Sequence, residues 1–115
     1  MKKSIAVAAL SILASATSNA ANYTGQCVYP RERSTTNGNI EFMTPTYIFN
    51  EPKAGSSKQL LTSLSSFKVK AEKSGYIQLS TVPDYSKQNP EEGAGEIIGW
   101  ATAENFRLIE LRNCN

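Results

Sequence analysis

A small all-β barrel is the fold class this sequence predicts. From Phe67 onward, Phe67, Val69 and Ala71 alternate with Lys68, Lys70 and Glu72; beyond Ser74-Gly75, Ile77, Leu79 and Thr81 alternate with Tyr76, Gln78 and Ser80. A period of two is the spacing of strands with one buried face. The other apolar runs are short, rich in β-branched and aromatic residues, and bounded by Gly, Pro, Asn and Ser, as strands between turns are. No convincing long helical pattern follows the N-terminus, so helix-based architectures have nothing to build on.

Each element follows from local composition. Ala21 to Tyr29 carries Tyr23, Val28 and Tyr29 and reads as a first strand; Pro30 to Asn39 is polar and turn-rich and reads as a loop. Ile40 to Phe42 is a short strand stopped by Pro45, and Thr46 to Phe49 is a β-branched, aromatic strand. Asn50 to Lys58 is a loop, and Gln59 to Leu64, with Leu60, Leu61 and Leu64, reads as the next strand, though its spacing also fits one helical turn. Phe67 to Val82 forms a hairpin. A two-residue turn at Ser74-Gly75 would set Ala71 against Gln78 and Val69 against Ser80, apolar against polar. A three-residue loop, Lys73-Ser74-Gly75, pairs Ala71 with Ile77, Val69 with Leu79 and Phe67 with Thr81, keeps each face uniform, and is the register expected. Pro83 to Gly95 is a long polar loop expected to be mobile. Ile97 to Thr102 is a strand, Ala103 to Phe106 a helical turn, and Arg107 to Leu111 the closing strand.

The N-terminus reads as a secretory signal. Lys2 and Lys3 supply positive charge, Ile5 to Leu13 is apolar apart from Ser11, and Ser18-Asn19-Ala20 offers small residues at the two positions signal peptidase reads. Cleavage is expected after Ala20, delivering the chain to the periplasm or, alternatively, outside the cell. The apolar run is too short to span a bilayer, and no other stretch is long enough, so no membrane insertion is expected after cleavage. Lys2 and Lys3 leave with the signal, so twelve basic residues become ten against ten acidic ones, and the mature charge is zero. A neutral chain gives no electrostatic reason to bind nucleic acid.

Two cysteines, Cys27 and Cys114, remain in the mature chain. In an oxidising compartment an even pair reads as a disulfide, with free thiols or an intermolecular link as the alternatives. The bond would bring the two Cα atoms within about 7 Å. It would contribute roughly 4–5 kcal/mol by restricting the unfolded chain.

Little in the sequence suggests catalysis. Histidine is absent, which removes Ser-His-Asp and Cys-His arrangements and most zinc sites. Glu91, Glu92 and Glu96 lie in a Gly-rich stretch, where carboxylates are ordinarily solvated. Gly93-Ala94-Gly95 lacks the flanking pattern of a phosphate cradle. No catalytic residue, metal or cofactor is expected. The aromatics Tyr47, Tyr76, Tyr85 and Trp100 combine flat apolar faces with polar tips and are the candidate binding residues, as one shallow groove.

From Pro45 onward the order of elements resembles bacterial SH3-like (SH3b) domains. The match runs through Thr46 to Phe49, the loop Asn50 to Lys58, the Leu-rich Gln59 to Leu64, the hairpin with Tyr76 just after Gly75, Gly99-Trp100-Ala101, and the turn Ala103 to Phe106. Ser65-Ser66 stands where the family often has Gly, and Tyr76 where it often has Trp. The resemblance implies a small SH3-like β-barrel of five to seven short strands with one helical turn over residues 45–115, preceded by an N-terminal extension over 21–44 and the signal over 1–20. Such a barrel brings its ends together, which suits the disulfide. A five-stranded OB-fold is the alternative architecture. The resemblance also implies a non-enzymatic periplasmic module that recognises peptidoglycan peptide or a protein segment. An inhibitor or immunity protein acting on a secreted toxin or wall hydrolase, and an accessory subunit of an envelope assembly, are the alternatives.

Overall fold

The described residues form nine strands, most of them on short apolar runs bounded by turn residues. The structure, a computed structural model, describes residues 22–109 and Cys114; the signal segment and the far end of the last expected strand lie outside the described residues. In chain order the strands are β1 (Cys27–Pro30), β2 (Glu32–Ser34), β3 (Ile40–Phe42), β4 (Tyr47–Phe49), β5 (Lys58–Leu60), β6 (Phe67–Lys73), β7 (Tyr76–Ser80), β8 (Ile97–Thr102) and β9 (Phe106–Ile109). A 3-10 turn, Ala103–Asn105, joins β8 to β9. β2 falls inside the stretch expected to be a loop. Its partner β3 holds it, with Glu32 opposite Phe42 and Ser34 opposite Ile40, and polar composition gave no warning of that pairing.

Seven strands form one antiparallel sheet in the order β5-β4-β8-β7-β6-β1-β9, and β2 and β3 form a separate two-stranded sheet. The expected SH3-like barrel is overturned by this topology. The sheets are open, β5 and β9 stand at opposite ends of the strand order, and the described residues hold nine strands in two open sheets in place of one closed barrel of five to seven. The lone 3-10 turn is the only helical element among the described residues. The physical reason lies in β1. It takes the place beside β6 and carries β9 on its other side, with Cys27 opposite Ile109 and Pro30 opposite Phe106. The last strand therefore ends at a sheet edge instead of bridging back to the strands around β4.

In the β6–β7 hairpin the three-residue loop expected from sequence does not form, although its register holds beyond the turn. The turn is the two-residue one, with Lys73 opposite Tyr76 and Ala71 opposite Gln78, but Val69 still faces Leu79. A bulge at Lys70 absorbs the one-residue difference, so the buried residues share a face although the turn is tight. Ser74 (φ 53°) and Gly75 (φ 84°) both occupy the left-handed region, the geometry of a type I′ turn, which matches strand twist. Asparagine tolerates that region better than serine. Ser74→Asn is expected to raise stability by about 0.5 kcal/mol, read as a higher urea midpoint; a lower midpoint would argue against this turn.

The core gathers one or two side chains from most strands of the large sheet: Val28, Ile48, Phe67, Val69, Ile77, Leu79, Ala101 and Phe106. Tyr23, Leu61, Ile98 and Ala103 pack around its rim. The backbone N–H of Tyr23 donates to the Glu72 carboxylate at 2.6 Å, which ties the segment before β1 to β6. Ala71, expected inside, is only half-buried, because it follows the bulge. The disulfide expected from the cysteine count is present: Cys27 and Cys114 are bonded, with Cα atoms 6.0 Å apart. Both residues are buried.

Candidate functional site

Strand alternation puts a second set of side chains on the sheet face opposite the core. Ile48 points to the core, so its neighbours Tyr47 and Phe49 lie on the outer face of β4. Phe49 stands opposite Trp100 of β8, Trp100 opposite Gln78 of β7, and Tyr76 opposite Thr102. On the other side of β4, Tyr47 faces Leu60 and Phe49 faces Lys58. Directly opposed residues share a face, so Tyr47, Phe49, Tyr76 and Trp100 form one aromatic surface across three neighbouring strands.

The contacts within this surface are specific. Phe49 and Tyr76 meet edge to face, with ring centroids 5.5 Å apart and planes at 83°, an arrangement aromatic quadrupoles favour. The Lys58 ammonium lies 4.5 Å from the Tyr47 ring centroid and 5.7 Å from that of Phe49, within cation–π range. Phe49 is buried beneath its neighbours, whereas Tyr47, Tyr76 and Trp100 are half-buried and Leu60 is exposed. Flat rings on a hydrogen-bonded sheet present apolar area at low conformational cost.

Three of the four residues expected to bind, Tyr47, Tyr76 and Trp100, are thus on one face. Tyr85 is elsewhere. It lies in the loop after β7, at the end of that strand away from Tyr76, and is 71 % exposed. Phe49 and Lys58 are additional members. Phe49 was detectable, since it is two residues from Tyr47 on one strand. Lys58 was not, because its place over the rings depends on the β4–β5 pairing.

The loop that carries Tyr85 is stitched at its neck. The Thr81 hydroxyl donates to Gly93 C=O and accepts from the Glu96 N–H. Backbone bonds join Thr81 N–H to Glu96 C=O and Gly95 N–H to Thr81 C=O, each at 2.9 Å. A cleft of about 440 Å³ runs between this loop and residues 65–67. At its rim the Asp84 carboxylate accepts hydrogen bonds from the Ser86 hydroxyl (2.6 Å) and the Ser86 N–H (3.0 Å). These bonds, with a smaller contribution from the Lys87 charge, hold the Asp84 carboxyl below the usual aspartate range. Glu91, Glu92 and Glu96 do not assemble: no cluster of three or more metal-ligating side chains occurs among the described residues.

No family model, curated protein or solved structure matches this chain. The SH3b resemblance read from residue 45 onward therefore gains no support from family models, and the open sheet removes it as an account of the fold.

Proposed function

We propose that this protein is an exported, periplasmic, non-enzymatic binding module whose ligand surface is the outer aromatic face around Tyr47, Tyr76 and Trp100. The observation that carries the reading is the convergence of these half-exposed rings on one rigid sheet, with Lys58 beside them. Half-exposed rings gathered on one sheet face offer contiguous apolar area that a ligand can cover. Aromatic anchors commonly dominate recognition energy. The ligand is a protein segment or a cell-wall peptide, either of which offers extended backbone and small side chains to stack on rings.

The test is retention of the exported, oxidised protein on purified peptidoglycan and on immobilised envelope proteins. Tyr47→Ala combined with Trp100→Ala is expected to reduce retention about tenfold or more. Tyr85→Ala, off that face, is expected to leave it unchanged. Undiminished retention by a double variant that keeps its native circular dichroism would dismiss the aromatic face as the site.

A further inference from the structure

Among the described residues, the outer strand β5 has one free side. It pairs with β4, and no other described strand lies against it. The direction of its backbone groups follows from two bonds: Asn50 N–H donates to Ser57 C=O at 2.9 Å, and Leu61 N–H donates to Thr46 C=O at 2.8 Å. Bonded and unbonded positions alternate in an antiparallel pair. Ser57, Gln59 and Leu61 therefore spend their backbone groups on β4, while Lys58 and Leu60 turn theirs outward. The same two residues put their side chains on the aromatic face, opposite Phe49 and Tyr47.

Proteins commonly guard such an edge with a lysine standing off it. Here the lysine is drawn back. Its ammonium lies over the rings of Tyr47 and Phe49, which belong to β4, on the inner side of β5. Leu60, 51 % exposed, completes the edge. The ion pairs among the described residues are Arg33–Glu41, Lys53–Glu51 and Arg107–Glu32, so Lys58 has no carboxylate partner there.

The geometry points to β5 as a docking edge for an extended segment of a partner protein, added as a further antiparallel strand. The inference rests on the aromatic-face reading above and names the form of its ligand. Main-chain bonds to Lys58 and Leu60 supply affinity, and side chains at alternate positions supply selectivity. The partner residue opposite Leu60 is apolar and lies against Leu60 and Tyr47. The one opposite Lys58, two positions later in an antiparallel strand, is acidic and draws the ammonium outward. The recognised pattern is apolar, any residue, acidic.

A display library of linear heptapeptides panned on the exported, oxidised protein tests this. Peptides with that pattern should be enriched. N-methylation of their backbones should weaken binding about tenfold at every second position and hardly at all between, since only alternate N–H groups face β5. Binding should slow amide exchange at Lys58 and Leu60 and leave Gln59, already bonded to β4, unchanged. Leu60→Pro removes an outward N–H together with the leucine side chain at the edge, leaves the Gln59 bonds to β4 in place, and should abolish binding; Lys58→Glu should exchange the acidic preference for a basic one. Failure to enrich any linear peptide overturns the edge, as does an N-methyl scan without a period of two. If Tyr47→Ala abolishes binding of selected peptides that ignore Leu60→Pro and Lys58→Glu, the aromatic face stands and the edge falls. If selected peptides show the two-residue period and ignore Tyr47→Ala and Trp100→Ala, the aromatic-face reading falls instead.

Discussion

Replacing both cysteines, as Cys27→Ser with Cys114→Ser, is expected to lower the unfolding free energy by about 4–5 kcal/mol. The bond spans 87 positions, so it closes most of the chain into a loop and removes a large part of the unfolded chain's freedom. A second effect acts locally. Cys27 lies opposite Ile109 in the β1–β9 pair, and Cys114 follows five residues later, so the bond fastens the edge strand β9 to β1. Marginal stability makes the loss large, since small domains hold only about 5–15 kcal/mol in total. Thermal unfolding of the oxidised protein and the double variant should differ by roughly 20–30 °C. A difference below about 5 °C would mean that the bond contributes far less than chain entropy requires.

Gly99→Ala is expected to cost about 4 kcal/mol, the joint effect of backbone strain and overpacking. Gly99 has φ +136°, which side-chain-bearing residues rarely adopt. It stands opposite Leu79 on the core side of β8, where an added Cβ would meet Ile48 Cγ2 at 2.6 Å and the Phe49 carbonyl oxygen at 2.7 Å. The methyl group could be relieved by truncating Ile48, whereas the carbonyl belongs to β4 backbone and cannot retreat. A double-mutant cycle separates the two. Gly99→Ala should cost about 1–2 kcal/mol less in an Ile48→Ala background than in the parent, and remain destabilising there. Equal costs in both backgrounds would show that Ile48 does not fill the space beside Gly99. The site feels this change as well, because Trp100 and Phe49 are the adjacent residues and face each other across β4 and β8.

The candidate site was partly legible in sequence, for a local reason. Alternation alone sets Tyr76 on the face opposite Ile77 and Leu79, and the same rule sets Tyr47 opposite Ile48. It could not say that these rings share a surface with Trp100, since that depends on β4 lying beside β8 and β8 beside β7. Tyr85 shows the converse. Its composition matched the other candidates, yet the stitched loop between Thr81 and Glu96 holds it at another part of the molecule.

Sequence alone determined what nearest neighbours along the chain decide: the buried positions Phe67, Val69, Ile77 and Leu79, the place of a hairpin turn at Ser74 and Gly75 though not its two-residue length, and the two sulfur atoms available to join. The tertiary structure decided what depends on partners distant in sequence. β1 entered between β6 and β9 and left the sheet open, polar residues 32–34 became a strand because β3 was there to pair with them, and Lys70 bulged so that a two-residue turn and a uniform core could coexist. Strand pairing is a contact between remote segments, and its energy is absent from any local window of the chain.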